Sequence, residues 1–209
     1  SFHDLPISFF PEPDTGMYEA VANGLRRASG RYHCYINCGD IFDTSFFSVV
    51  VQCLSNPSPC WYIGLPASRD ELGRLTGIRS LFFTSRNLIL AGFHNGFYDH
   101  FLQQESIFWH HRLSAEIDLD LLSTFRLAGD AYLWHSFALL VPPKTLSWSF
   151  SSYRHHPSPL SGNRKLYLSE YCTIYPRRIR PMCLLLFLLL KGLRVIESTY
   201  LLPLRMFFQ

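Results

Sequence analysis

The sequence lacks the long apolar runs and leader patterns of membrane and secreted proteins. Its longest uninterrupted apolar segment, MCLLLFLLL at 182–190, has nine residues, whereas a helix needs roughly 20 to cross a bilayer. No basic segment with an apolar core precedes a small-residue cleavage site, so no signal peptide is visible. Internal repeats are also absent. These absences indicate a globular chain.

Paired CxxC units are missing as well. The six cysteines show neither these units nor the dense spacing of a small disulfide-stabilised domain. Cys34 and Cys38 could be metal ligands, but the segment between them has the pattern of a strand, which favours packing in a core over a zinc site. We therefore expect reduced thiols in a cytosolic protein.

The sequence also has no strong excess of charge. Its 19 basic and 16 acidic residues give a formal charge of +3, which is too small to indicate a nucleic-acid-binding protein. Six basic residues nevertheless cluster near the C-terminal end: Arg177, Arg178, Arg180, Lys191, Arg194 and Arg205. Together with the apolar run, they predict either a core helix or an interfacial helix that contacts an anionic membrane surface through residues 177–194.

Hydrophobic periodicity predicts an α/β chain with one domain and a short appendage. Apolar residues recur every three or four positions in 17–29 and again in 127–140, which is typical of amphipathic helices, and 164–171 is also predicted to be helical. The run FFSVVVQCL is too short to distinguish helix from strand. Strands are predicted in three aromatic-rich runs: 31–37, 61–68 and 81–86.

Asp40 follows the predicted strand 31–37 in a tight Asn-Cys-Gly-Asp turn. Turns at the carboxyl ends of strands are where α/β sheets bind ligands. A carboxylate at such a point can hold Mg²⁺ or Mn²⁺, which keep most of their coordination shell as water and phosphate oxygens. Taken alone, however, the pattern favours an aspartate that only forms the turn.

The segment around this turn carries a longer pattern. Residues 11–43 read PEPDTGMYEAVANGLRRASGRYHCYINCGDIFD, which resembles the central motif of family 2 glycosyltransferases of the GT-A fold. In that motif a Ser-Glu-x-Asp-x-Gly-hydrophobic-Tyr-Asp-Ala stretch leads through Asn-x-Gly and Ala-x-Gly to a strand and an acidic turn. Ten residues stand where the pattern expects them: Asp14, Gly16, Tyr18, Ala20, Asn23, Gly24, Ala28, Gly30, Asn37 and Asp40.

Two further blocks extend the resemblance over roughly residues 8–170. FLQQESIFWHHRL followed by LAGDAYLW is similar to the family's acceptor-side segment, in which an acidic residue opens a helix. YRHHPSPLSGNRKLYLSE is similar to the loop and helix that fold over the donor diphosphate. The acceptor-side block rests on seven residues: Gln103, Gln104, Glu105, Ser106, Phe108, Trp109 and Asp130.

The chain departs from the family pattern at two points. The acidic turn of the family is often Asp-x-Asp or Asp-Asp, but residues 37–40 offer one carboxylate, which implies weaker metal binding. The first strand, helix and strand of the fold, which read the nucleotide base, would lie before Ser1. The resemblance thus implies a partial GT-A (Rossmann-like) α/β fold, with a mixed central sheet, helices on both faces and C-terminal helices. It divides the chain into a glycosyltransferase domain at 1–170 and a basic, apolar helical extension at 171–209.

Site residues follow from the same resemblance. Asp130 is placed as the base that takes the acceptor proton, and its apolar surroundings after Gly129 would raise its proton affinity; a helix N-cap is the alternative. Asp40 is placed as the ligand of Mg²⁺ or Mn²⁺. For the donor phosphate, Arg154 and Arg164 are the alternatives to His155 and His156. Donor or acceptor binding is assigned to eight residues, several of which core or surface positions would equally explain: Asp14, Asn23, Gln104, Glu105, Trp109, Arg154, His155 and His156.

The implied function is transfer of a sugar from a nucleotide-sugar donor to a saccharide or lipid-linked acceptor in surface-glycan biosynthesis, with inversion and a divalent metal ion. The implied location is cytoplasmic, at the inner face of the membrane where residues 177–194 contact it. The alternative is a catalytically inactive remnant that binds a saccharide or a partner. Nucleic acid is not expected as a partner, because the aromatic residues are not interleaved with a basic stripe.

Overall fold

Two mixed sheets and seven helices make up the part of the chain that the structure describes. A computed structural model of the protein describes residues 7–53, 58–79, 84–96, 101–155 and 163–175, together with Leu185, Leu188 and Leu189. The chain is a mixed α/β protein, in agreement with its hydrophobic periodicity.

The first sheet separates two hydrophobic cores. Its strand order is β1 (Tyr32–His33), β6 (Ile107–His110), β3 (Trp61–Ile63) and β7 (Lys144–Thr145). β6 pairs antiparallel with β1 and β3, whereas β7 joins β3 in parallel. Every residue of β3 and β6 is buried. Strands covered on both faces are apolar throughout rather than alternating, which explains their aromatic-rich sequences.

The second sheet contains fewer apolar residues than the first sheet and is more exposed to solvent. Its strand order is β2 (Ile41–Phe42), β8 (Ser151–Arg154), β4 (Ala67–Arg69) and β5 (Leu75–Ile78). β2 pairs antiparallel with β8, β4 pairs antiparallel with β5, and β4 and β8 are parallel. All four residues of β5 are exposed, so this edge of the sheet lies in solvent.

The helices pack mainly around the larger core. α1 contacts α5, and α6 contacts α3, α5 and α7. A short 3-10 helix, Gln104–Ser106, leads directly into β6. The helices are α1 (Met17–Arg27), α2 (Phe46–Cys53), α3 (Arg86–Leu90), α4 (His111–Ser114), α5 (Leu119–Thr124), α6 (Gly129–Leu140) and α7 (Arg164–Ile174).

Successive strand residues point to opposite faces of the first sheet and so reach different cores. Trp61 and Trp109 point into the larger core, where Trp61 stacks on Trp134 of α6 with ring centroids 6.0 Å apart. Tyr62 and Phe108 point the other way and stack on each other at 4.8 Å. The smaller core on that side is completed by Phe46, Cys60 and Phe150.

The predicted helices at 17–29, 127–140 and 164–171 are confirmed by α1, α6 and α7. In the undecided run FFSVVVQCL, residues 46–53 are helical and form α2, and Leu54 lies outside the described residues. Its residue Phe46 is buried while the neighbouring Phe47 is exposed. The burial of one side of α2 against the smaller core therefore decides between helix and strand, which the sequence pattern left open.

The strand predicted over 61–68 is wrong as a single element, because the chain leaves the first sheet after β3 and enters the second as β4. A Cβ on Gly64 would lie 2.3 Å from the Phe150 ring, so glycine is required at this crossing. The strand predicted over 31–37 is reduced to the two residues of β1. Of the strand predicted over 81–86, residues 81–83 lie outside the described residues, and α3 begins at Arg86.

Little of the C-terminal region is described. Leu185, Leu188 and Leu189 are helical and mostly exposed, and the rest of 177–194 lies outside the described residues. Within the described residues, no helix is both long and apolar enough to cross a membrane. The boundary between residues 170 and 171 falls inside α7, whose hydrogen-bonded turns continue across it.

Candidate active site

Asp130 is the second residue of α6, and Tyr18 of α1 packs against the first turn of that helix. A Cβ on Gly129 would lie 2.4 Å from the Tyr18 ring, so glycine before Asp130 permits this close approach. The partly buried Asp130 accepts the N–H of Ala131 at 2.7 Å through Oδ1. Burial raises the pKa of Asp130 to about 6, although hydrogen bonding from Ala131 and Tyr18 opposes the shift.

Glu105 lies in the 3-10 helix before β6 and is completely buried. Neither of its carboxyl oxygens has a hydrogen-bond partner among the described residues. Burial, together with the negative charges of Asp40 and Asp130, raises the pKa of Glu105 to about 8. Glu105 is therefore largely protonated near neutral pH and able to donate as well as accept a hydrogen bond.

Asp40 ends a turn in which its N–H donates to the carbonyl of Asn37 at 3.1 Å, with Gly39 in the left-handed region at φ 102°. The turn that the sequence predicts is thus present. Oδ1 of Asp40 accepts the backbone N–H of Arg154 at 3.0 Å, which joins the turn to β8. This position is at the junction of the two sheets, because Asp40 follows β1 and directly precedes β2.

Electrostatic interaction links these three carboxyl groups through Glu105. In the antiparallel pair of β1 and β6, Tyr32 lies opposite His110 and His33 opposite Trp109. The charges of Asp40 and Asp130 both act on the pKa of Glu105. We call Asp40, Glu105 and Asp130 the carboxyl cluster.

No protein-family model matches the chain, and the search of curated proteins found no match either. The carboxyl cluster is therefore interpreted from its own geometry and from the sequence motifs that contain it.

Arg154 and His155 lie beside Asp40 at the end of β8. The side chain of Arg154 donates to the carbonyl oxygen of Glu71, in the turn between β4 and β5. The His155 N–H donates to the Arg69 carbonyl at 2.9 Å, and its side chain is exposed. His156 lies outside the described residues. His155 helps to line a surface cavity of about 440 Å³ with Asp70, Glu71, Leu72 and Arg74.

The other predicted binding residues lie apart from the carboxyl cluster or beneath the surface. Asp14 is exposed ahead of α1, and Asn23 accepts from Arg26 of the same helix at 2.9 Å. Gln104 is half-buried in the 3-10 helix. Trp109 is 0% exposed, and its indole N–H donates to Ser114 Oγ at 2.7 Å. No face of the Trp109 ring is open to a sugar, so its place in the fold corresponds to the core alternative.

One carboxylate at this site, that of Asp40, is suitable for binding a divalent cation. Among the described residues, no group of three or more His, Cys, Asp or Glu side chains could hold a metal ion. Mg²⁺ is commonly held by one or two carboxylates together with substrate phosphates and water. The described residues therefore fit a divalent cation only if Asp40 supplies the protein ligand and a diphosphate supplies the second ligand.

Sequence reasoning missed two residues that support Asp130. Tyr18 was recognised as part of a motif, but not as the ring that packs on Gly129. Glu170 was not singled out, yet its carboxylate accepts three backbone N–H groups just before α6. Its position beside the regularly spaced tyrosines of α7 gave no indication of this contact, because the partners are main-chain atoms more than 40 residues away.

Proposed function

We propose that the protein transfers a sugar from a nucleotide-sugar donor to the hydroxyl of a saccharide or lipid-linked acceptor, with inversion at the anomeric carbon. The observation that carries this proposal is the carboxyl cluster, in which the charges of a partly buried aspartate at a helix start and of a second aspartate at a sheet junction both act on Glu105. The motifs that resemble family 2 glycosyltransferases contain all three of its residues. We propose the GT-A arrangement on the same grounds.

Asp130 acts as the general base in this proposal. As the acceptor oxygen forms its bond to the anomeric carbon, its proton passes to Asp130, and the bond between that carbon and the diphosphate oxygen breaks with both electrons on the leaving group. A pKa of about 6 leaves Asp130 about ten-to-one ionised at pH 7 while keeping it basic enough to take the proton.

The departing diphosphate faces the Asp40 side of the cluster. Arg154 and His155 are the candidates to bind its oxygens, since Arg154 donates its N–H to Asp40 at the end of β8 and His155 is the next residue. A Mg²⁺ or Mn²⁺ ion bound by Asp40 and the diphosphate would supply charge neutralisation on the leaving group. The protonated Glu105 adds no full negative charge to the cluster.

One observation favours a second candidate, a saccharide- or partner-binding protein without turnover. The predicted acceptor contacts Glu105 and Trp109 are both fully buried, so the described residues offer no sugar-stacking surface from this segment. A binding protein would retain affinity for saccharides while showing no transfer from any nucleotide sugar.

The membrane contact proposed for residues 177–194 would place the enzyme at the inner face of the membrane, near lipid-linked acceptors. The described leucines there, Leu185, Leu188 and Leu189, are more than half exposed, which suits an interfacial helix.

The test is Asp130→Asn in the complete chain, assayed for transfer and donor hydrolysis across several nucleotide sugars with and without Mn²⁺. We expect kcat to fall about a hundredfold or more, because the amide cannot take a proton. The melting temperature at pH 7 should be equal or higher, since asparagine removes a buried charge. Asp118→Asn is the matched control: Asp118 also starts a helix and accepts the Leu121 N–H at 2.9 Å, but it lies outside the cluster. Equal kcat in both variants would refute the assignment of Asp130.

A further inference from the structure

Glu170 of α7 holds the segment that precedes Asp130. Its Oε1 accepts the N–H of Arg126 at 2.8 Å, and its Oε2 accepts the N–H groups of Leu127 and Ala128, both at 2.9 Å. Three successive main-chain donors thus converge on a single carboxylate. Hydrogen bonds to an ionised acceptor are roughly twice as strong as neutral ones.

This contact lies just ahead of α6 and does not satisfy the first N–H groups of the helix itself. The first N–H groups of any helix have no partner within the helix and need one from outside. Ala128, the residue before α6, provides no side-chain cap. Glu170 instead fixes the backbone on the approach to the helix, and Asp130 stands two residues after the last bonded amide. Glu170, on a different helix, thus holds the main chain two residues ahead of Asp130.

α7 is itself anchored against the same turn of α6. Tyr167, Tyr171 and Tyr175 are spaced four residues apart and are all buried in the larger core. Tyr171 and Tyr175 stack with ring centroids 4.3 Å apart, and the Tyr175 hydroxyl donates to the Ala131 carbonyl at 3.4 Å. With these contacts, α7 has little freedom to carry Glu170 away from the amides.

We propose that Glu170 is a positioning residue: it orients the general base Asp130 by binding the three amides of residues 126–128. This inference rests on the proposed function, because Asp130 acts as a general base only if the protein transfers a group to a hydroxyl. The titratable groups facing Asp130 from the surrounding elements are Tyr18, Tyr35, Glu105, Tyr167, Tyr171, Tyr175 and Glu170.

Glu170→Gln tests the orientation. Glutamine keeps one acceptor oxygen and replaces the other with an amide donor, so at least one of the three N–H groups loses its partner. We expect hydrogen exchange at Arg126, Leu127 and Ala128 to accelerate about tenfold or more, and kcat to fall by about tenfold with little change in donor KM. Glu116→Gln, at an exposed glutamate of α4's C-terminal flank, is the control and should change neither.

The pH profile separates positioning from mere stability. A nearby negative charge raises the pKa of an acid, and Glu170 is one of the groups that raise the pKa of Asp130. Removing its charge should move the acidic limb of the pH–rate profile to lower pH. Glu170→Asp keeps the charge but shortens the reach, so it should speed exchange while leaving the limb in place. It also serves as the test if the glutamine variant does not fold.

The two proposals fail in different ways. Unchanged exchange at residues 126–128 in Glu170→Gln, or a lower melting temperature with kcat and the pH limb unchanged, would overturn the positioning role. An absence of transfer in the unaltered chain would refute the proposed function. In that case faster exchange at 126–128, together with a lower Asp130 pKa measured by NMR in Glu170→Gln, would still support the contact between Glu170 and the start of α6.

Discussion

The two sides of the carboxyl cluster are built differently. On the Asp130 side, a twelve-residue helix packs on the larger core, and its start is held by the Tyr18 ring and by Glu170. On the Asp40 side, a turn leads into a two-residue strand of a sheet whose outer strand is fully exposed. Proton transfer needs a base held within a fraction of an ångström, whereas a flexible diphosphate tolerates an adaptable surface. The contrast suits a base on one side and a leaving-group site on the other.

Glu105 joins the two sides, and its substitution should have the largest effect on stability. The pKa of Glu105 is raised from 4.5 to about 8 in the folded protein, so the folded state binds its proton more tightly than the unfolded state. The contribution of protonated Glu105 to the free energy of unfolding is fully present below pH 4.5. It is lost as the pH rises towards 8, and the total loss is about 5 kcal/mol.

Glu105→Gln should remove that dependence, because the amide resembles the protonated acid but cannot ionise. Urea unfolding of both proteins between pH 5 and pH 8.5 measures it. The unaltered protein should lose stability across this range and the variant should stay nearly level. Parallel pH dependences for the two proteins would show that Glu105 ionises without penalty and that the two sides of the cluster are not electrostatically joined.

Gly129→Ala should damage the Asp130 side. The added Cβ would stand 2.4 Å from the Tyr18 ring, and relieving that overlap in a packed core costs about 1–3 kcal/mol. Gly24→Ala is the control, because Gly24 lies within α1 and its Cβ would meet nothing within 4 Å. That exchange should stabilise the protein by about 1 kcal/mol through helix propensity. Similar effects at both glycines, measured by thermal unfolding, would contradict the close packing of α1 on α6.

Arg69→Lys should weaken the Asp40 side by a smaller amount, about 1–2 kcal/mol. The guanidinium of Arg69 donates to Ser152 Oγ at 2.8 Å, to the Gly73 carbonyl at 2.9 Å and to Asp43 at 3.0 Å. A lysine ammonium cannot span these three acceptors.

Arg74→Lys is the matched control for this side, because the Arg74 side chain is 73% exposed and pairs with Asp70 alone in the ion pairs described. Its cost should stay below about 0.5 kcal/mol. The comparison requires urea unfolding of both variants at one pH. A loss in Arg69→Lys no larger than in Arg74→Lys would mean that the Arg69 contacts do not hold the second sheet together.

The sequence predicted the Asp130 side better than the Asp40 side. α6 is long, and Leu133, Trp134, Phe137 and Ala138 recur at helical spacing, so the helix and the place of Asp130 at its start could be inferred from the sequence. The Asp40 turn was predicted from its residues, but the second sheet was not, because strands of two to four residues carry too little alternation. The crossing at Gly64 depends on the Phe150 ring, which lies far along the chain and leaves no local signal.

The burial of the acceptor-side motif could not be predicted from residue spacing either. Glu105 and Trp109 had been equally compatible with core and surface positions, and the choice depends on the covering of β6 by both cores. The contact of Glu170 with the amides of 126–128 was similarly invisible, because main-chain partners do not appear in residue patterns.

The parallel strand pairs have a consequence for the order of events during synthesis. β3 and β4 follow each other closely, but their parallel partners β7 and β8 come only after α6. The pairings of Ile41 with Ser152 and of Ser68 with Tyr153 cannot form until β8 has been synthesised. A ribosome-bound chain that ends before β7 therefore holds unpaired strand edges of both sheets. Such nascent chains should depend on chaperones, and the second sheet should become protease-resistant only once β8 has left the exit tunnel.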